Sequence, residues 1–290
     1  MTVQWFPGHM QKALRAMKEN LKLVDCILEL SDARAPLSGR NPELLKLAEG
    51  KPRLLLLNKA DLADSRVTEE WIRYFKDKGE TVIPLNSVTG SGVQKIVPAL
   101  DVLLAEKKER LAQRGIVGRS VRLMTVGIPN VGKSSFINKF TKNAATKTGD
   151  RPGVTRGSQW VRLKNGYELM DTPGVLWPKF EEKENALRLA ATGAIRDEVL
   201  NTEEIAEFLL GYLANRYPDA LEARYKIAQQ APPEEGWLYL VGKKRGFIIS
   251  GGEVDMLRAA SVVLDEFRGG KLGRISMEFP QPEGETVDEK

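Results

Sequence analysis

Gly127-Ile-Pro-Asn-Val-Gly-Lys-Ser134 matches the pattern G-x-x-x-x-G-K-[ST], and its flanks match as well: the apolar run Leu123–Val126 precedes it and the helical run Ser135–Phe140 follows. A strand, a glycine-rich loop and a helix in that order make a phosphate cradle. The glycines let backbone N–H groups close around anionic oxygens at a helix N-terminus. The spacing predicts that Asn130, Val131, Gly132, Lys133, Ser134 and Ser135 wrap the phosphates of a nucleoside triphosphate. Lys133 would reach the β- and γ-phosphates, and the Ser134 hydroxyl would ligate Mg²⁺. An ordinary glycine turn is the competing reading, and the strand–loop–helix context disfavours it.

Outward from this loop, five short apolar runs alternate with helical patterns: Cys26–Leu30, Leu54–Leu57, Val82–Leu85, Leu123–Val126 and Glu168–Met170. Residues 10–24 and 93–111 carry the helical spacing between them. This alternation predicts an α/β domain, a mostly parallel sheet with helices on both faces. Three further motifs sit at the ends of the predicted strands. Asn58-Lys59-Ala-Asp61 follows Leu54–Leu57, and an Asp there can accept from guanine N1–H and the exocyclic N2 amine together. Adenine has no such donor pair, so the pattern selects GTP and GDP. Asn86 and Ser87 end the strand Val82–Leu85, where their backbone would brace the base. Asp171-Thr-Pro-Gly174 ends Glu168–Met170, with Asp171 on the Mg²⁺ side and the Gly174 N–H toward the γ-phosphate. In the polar stretch Arg151-Pro-Gly-Val-Thr155-Arg, Thr155 is the candidate for a second Mg²⁺-side hydroxyl; Thr146 and Thr148 are its rivals.

Ras-like GTPases run phosphate loop, threonine switch, DxxG, NKxD, base-bracing loop. Here the last two, at 58–61 and 86–88, precede the first, at 127–134. Binding loops gather at the C-terminal ends of parallel strands, so a site depends on where strands lie rather than on their order in the chain. The expected fold is therefore a circularly permuted P-loop GTPase domain followed by a smaller all-α domain. With Trp5-Phe-Pro-Gly-His-Met10 at the start and Asp32-Ala-Arg-Ala-Pro36 after the first strand, the permuted set resembles the ribosome biogenesis GTPase A family. The resemblance implies GTP hydrolysis coupled to late maturation of the large ribosomal subunit, with ribosomal RNA as the partner surface.

A Gln after DxxG orients the attacking water in Ras-like enzymes, but Val175 and Leu176 stand here and cannot do so. Intrinsic hydrolysis should be slow, and two residues are candidates for help. His9 is the single histidine and follows Phe6-Pro7-Gly8, read as a hinge that a partner could swing. The resemblance implies a catalytic part for it; an ordinary surface histidine is the alternative. Asn130, by similarity to K⁺-dependent GTPases, would coordinate a monovalent cation beside the phosphates; a simple turn asparagine is the alternative. A GTP-sensing RNA-binding module with negligible turnover, or a GTPase acting on the small subunit or tRNA, would fit the residues too.

The chain has 290 residues, 42% hydrophobic and 29% charged, which suits about two globular domains. They are expected at 1–178 for the GTPase domain and 179–277 for a helical, RNA- or ribosome-binding domain, with an acidic, disordered tail at 278–290. One cysteine, Cys26, excludes an intrachain disulfide and a cysteine-rich zinc site. No apolar run approaches the roughly 20 residues that span a bilayer, and no signal-peptide h-region is present, so a cytoplasmic protein is expected. From Lys107 to Lys164, fourteen Lys/Arg face two acids, a charge excess of the kind an RNA partner requires, although a solvated face is the more ordinary meaning. Lys243, Lys244 and Arg245 before Gly246, and Lys271 and Arg274 among glycines, are read as loops whose backbone can approach a phosphodiester. No base-reading module is present, so recognition should rest on shape and phosphates. Neither membrane nor DNA is an expected partner, and a monomer is expected.

Overall fold

The computed structural model describes residues 8–116, 118–144, 160–163, 166–172, 183–195, 201–227, 232 and 234–280; the side chains of 8–14, 143 and 144 are outside that description. In chain order the elements are α1 (Gly8–Leu21), β1 (Cys26–Asp32), α2 (Pro42–Leu47), β2 (Arg53–Asn58), α3 (Ser65–Asp77), β3 (Thr81–Pro84), α4 (Ile96–Leu103) and α5 (Ala105–Gln113). There follow β4 (Val121–Gly127), α6 (Lys133–Ala144), β5 (Trp160–Arg162), β6 (Tyr167–Met170), α7 (Lys183–Ala191), α8 (Thr202–Arg216), α9 (Pro218–Tyr225), α10 (Trp237–Arg245) and α11 (Met256–Arg268).

The strands form one six-stranded sheet in the order β3-β2-β1-β4-β6-β5. Every described pairing is parallel except that of β5 with β6. Both faces are covered, which is why the strands read as nearly unbroken apolar runs. Leu28, Leu30, Leu54 and Leu56 turn to one face and pack with Phe136 and Phe140 of α6 and Ile96 and Leu100 of α4. Ile27, Met124 and Val126 turn to the other, under Met17 and Leu21 of α1. Leu55 and Leu57 share that second face with Trp71 and Phe75 of α3.

The chain leaves β1 toward β2 and β3 on one side and leaves β4 toward β6 on the other. The topological switch point therefore lies between β1 and β4, and the crevice at their C-terminal ends is where such sheets bind ligands. The loops after β1, β2, β3 and β4 meet there, although β4 follows the other three by nearly forty residues.

The helical elements follow. Asn201 caps α8, its carboxamide oxygen accepting from the Glu203 and Glu204 amides. Helix α8 buries Ile205, Leu209 and Leu213 against Ala260, Val263 and Phe267 of α11, within one core that continues into the sheet.

Three expectations change. The segment 93–111 is not one helix: a 3-10 turn at Val93–Lys95 leads into α4, and the chain breaks at Leu104, the last buried position before the wholly surface helix α5. The sheet gains β5, three residues whose partner is set by the sheet edge and not by any local pattern. The Lys243–Gly246 loop is instead the last turn of α10 and its left-handed cap. The N-terminus of α10 is held by Glu207 of α8, which accepts from the Trp237 and Leu238 amides at 2.8 Å each, a cap invisible in the local sequence.

The tail also begins later than position 278. The Glu278 carboxylate is buried and accepts from the Leu37 and Ser38 amides at 2.7 and 2.9 Å, while its carbonyl accepts from Trp71 Nε1 at 3.1 Å. Residues 275–278 thus return to the GTPase domain. The expected 178/179 boundary and residues 281–290 lie outside the described residues.

Candidate active site

Asn58, the last residue of β2, holds three of the expected motifs together. Its Nδ2 donates to Ser87 Oγ at 3.0 Å and to the Val131 carbonyl at 2.7 Å, and its Oδ1 accepts from the Ser87 amide at 3.0 Å. One buried carboxamide so joins the 58–61 loop, the loop after β3 and the phosphate loop after β4. The contact explains Gly132: at φ +98° a Cβ there would lie 2.3 Å from Asn58 Nδ2. A second tie runs from the Ala60 amide to the Leu85 carbonyl at 3.2 Å. Asn86 builds its own turn, its Oδ1 accepting from the Val88 and Thr89 amides. Asp61, expected at the guanine edge, stands exposed at the end of this tied loop.

In the phosphate loop Lys133 is buried, and its Nζ donates to the Gly127 and Ile128 carbonyls at 3.0 and 2.8 Å. Burial pushes the ammonium down to about 8, with Asp171 opposing the shift. Two carbonyls occupy two of its three donors, so the third can meet a phosphate oxygen. Burial raises the Asp171 carboxyl, and Lys133 and the Thr172 amide work against that. Ser134 and Ser135 are exposed in the first turn of α6. Ser134 Oγ and Asp171 are hard oxygen donors of the kind Mg²⁺ takes, and no cluster of three or more His, Cys, Asp or Glu that could hold a metal exists among the described residues. Asn130 adopts φ +55°, and its Nδ2 donates to the Gly193 carbonyl, just beyond α7, at 2.8 Å.

Sequence reasoning missed the importance of Asp32, quoted only as part of a family motif. Its carboxylate is buried and takes Arg34 in a fork, Nε at 2.9 Å and Nη2 at 2.8 Å, with Lys59 Nζ at 3.0 Å on Oδ2. Burial alone would raise this carboxyl, but Arg34 and Lys59 outweigh it and hold it well below the usual carboxylate range. Lys59 sits at φ +58°, a left-handed conformation that costs roughly 1–3 kcal/mol for such a side chain and persists only where surroundings enforce it. An Asp two residues before an Arg at the end of a strand was the available signal.

Among the described residues, five cations of the basic run Lys107–Lys164 pair within the molecule. Lys107 and Arg119 pair with Asp25, Lys108 with Asp101, and Arg122 and Arg162 with Glu168. Arg245 donates to Glu266, as does Arg224, while Lys243, Lys244, Lys271 and Arg274 are exposed. Thr155 and Gly174 lie outside the described residues. The backbone of His9 lies in the first turn of α1, which begins at Gly8, and the expected hinge residues Phe6 and Pro7 lie outside the described residues.

With the base loop, the bracing loop and the phosphate loop all held by one asparagine, the fold defines a P-loop GTPase whose motif order is circularly permuted. The model of the 50S ribosome-binding GTPase family matches residues 122–224. A ribosome biogenesis GTPase A from Bacillus cereus is 48% identical, over 100% of this chain and 98% of its own length. The mitochondrial ribosome-associated GTPase 1 of Bos taurus is 34% identical, over 99% of this chain and 91% of its own. The crystal structure of GNP-bound YlqF from T. maritima superposes with a TM-score of 0.69 at 28% identity, covering 93% of this chain and 99% of that one. The chain belongs to the ribosome biogenesis GTPase A family, and its reaction is the hydrolysis of GTP to GDP and phosphate.

Proposed function

We propose that this GTPase docks on the assembling large ribosomal subunit and couples GTP binding and hydrolysis to a late maturation step. The observation that carries the reading is the Asn58 junction, which makes one nucleotide site from permuted motifs, in a chain whose relatives bear ribosome-assembly names along their full length. In this reading Asp61 accepts from guanine and the Ser87 backbone braces the base. Ser134, Asp171 and Thr155 hold Mg²⁺, which neutralises charge on the β- and γ-phosphates, and the Gly174 amide senses the γ-phosphate. Lys243, Lys244, Lys271 and Arg274 meet ribosomal RNA phosphates. Arg245, tied to Glu266, shapes that surface instead.

Sedimentation with separated ribosomal subunits tests it. The protein should travel with the large subunit when loaded with a non-hydrolysable GTP analogue and release with GDP; co-sedimentation with the small subunit alone would overturn the assignment. Log K should fall with log[salt], and Lys243→Glu with Lys244→Glu should flatten that slope by about 0.7–0.9 for each phosphate no longer neutralised.

Asn130 fits a monovalent cation. Its Nδ2 donates to the Gly193 carbonyl, so Oδ1 is the atom of the carboxamide that would ligate K⁺. Bound there, K⁺ would neutralise charge that develops between the phosphates. Asn130→Ala should therefore remove the advantage of K⁺ over Na⁺ in the hydrolysis rate, measured at saturating GTP. A K⁺ advantage that survives the substitution places the cation elsewhere.

A further inference from the structure

We propose that Asp32 is a positioning residue for guanine-nucleotide binding, acting through Lys59, and that Arg34 carries the state of α11 to it. The proposal rests on residues 58–61 being the guanine-binding loop, a reading that Asp61→Asn tests separately.

Asp32 is the last residue of β1 and lies in register with Asn58 on β2, so its side chain stands beside the start of the base loop. The fold itself does not call for a charge here, because a buried ion pair is commonly no more stable than apolar packing of the same volume. What the carboxylate provides is a fixed address for the Lys59 ammonium, 3.0 Å away, in a loop held at a left-handed backbone angle. Lys59 lies between Asn58, which ties the loop to the phosphate loop, and Asp61, which would meet the guanine edge. With its charged end anchored in the protein, the lysine presents its methylene stem to the base, a flat apolar shelf beside Asp61. The side chain keeps 24% of its surface exposed while its carboxylate partner keeps 3%.

Arg34 secures the carboxylate from behind. Besides the fork, its amide donates to Asp32 Oδ1 at 3.0 Å. Its guanidinium lies 4.9 Å from the centre of the Phe267 ring, in the last turn of α11, and its carbonyl accepts from the Met277 amide at 2.7 Å. The Ile275 amide also donates to the Leu62 carbonyl at 2.9 Å, one residue beyond Asp61. The end of the helical domain and the segment that returns from it therefore bear on the same clasp that sets Lys59. A ligand that tightens one side must tighten the other, since such coupling is reciprocal.

A double-mutant cycle on the full chain, read with a fluorescent methylanthraniloyl-GDP, tests the first part. Asp32→Asn should weaken binding by about tenfold in the natural background and by less than about twofold in a Lys59→Met background. Equal losses in both backgrounds would show that Asp32 acts through the fold at large. Should Asp32→Asn fail to fold because Arg34 is left unpaired, the comparison falls to Lys59. Lys59→Met should lose about tenfold and Lys59→Arg, which keeps a cation for Asp32, should recover most of it; equal affinities for these two variants overturn the proposal. Hydrogen exchange at the Met277 amide tests the second part. GDP should slow it in the natural protein and leave it unchanged in Lys59→Met, whereas the same protection in both would sever α11 from the clasp. If Asp61→Asn acquires xanthine preference while the cycle is additive, the loop reading stands and this proposal falls.

Discussion

Asp61→Asn is expected to convert the protein from a guanine- to a xanthine-nucleotide binder, with GTP affinity reduced by about a hundredfold or more. A carboxylate that accepts from two donors on the base edge loses two charge-assisted bonds when it becomes an amide, each worth roughly 1.5–3 kcal/mol. The amide NH₂ then faces the guanine N2 amine, donor against donor. Xanthine carries an oxo group at that position and restores the match, so specificity should invert rather than only weaken. The surroundings favour a clean result. Asp61 is exposed at the tip of a loop held by Asn58, Ala60 and Lys59, so the substitution leaves those ties in place. Competition binding with GDP, XDP and ADP measures it. Comparable GTP and ATP affinities in the natural protein would remove the basis of the prediction.

The second large effect concerns His9. Val175 and Leu176 cannot orient water, so the isolated protein should turn over slowly even at saturating GTP. The stimulation proposed for the large subunit would then be a matter of positioning and electrostatics, which supply most of phosphoryl-transfer catalysis and can yield orders of magnitude without new covalent chemistry. The backbone of His9 lies in the first turn of α1, so its placement depends on where that helix is held. Helix α1 packs Met17 and Leu21 under the sheet, and a subunit that holds its N-terminal turn would fix the backbone of His9. His9→Ala should leave GDP affinity and subunit docking intact while abolishing most of the stimulated hydrolysis. Full stimulation of that variant would make His9 a bystander, with ordering of Thr155 and the cation at Asn130 left to explain the rate.

Much of the site was legible because its motifs are short, local and tied to strand ends. The eight residues from Gly127 to Ser134 announce a phosphate loop wherever they stand, and Leu54–Leu57 before Asn58 marks a buried strand feeding a loop. Other features depend on residues far apart in the chain. The cations from Lys107 to Arg162 look like a nucleic-acid footprint in one dimension. Their carboxylate partners, Asp25, Asp101 and Glu168, all lie outside the run, and folding pairs five of its cations with them. Arg245 looks like its two lysine neighbours until α11 brings Glu266 against it. The sequence marks Glu278 as the first residue of an acidic tail, yet its carboxylate is a buried cap for the Leu37 and Ser38 amides.

Residue pattern alone was enough for the class of fold and the permutation, since unbroken apolar runs and motif spacing are properties of neighbouring residues. Pairing across the sheet decided the rest. Only the order β3-β2-β1-β4-β6-β5 brings Asp32 beside Asn58 and sets the base loop against the phosphate loop. Only the docking of α11 puts Phe267 over Arg34, more than two hundred positions away in the chain. Contacts of that separation are selected by the packing of whole elements, and no local stretch of residues encodes them.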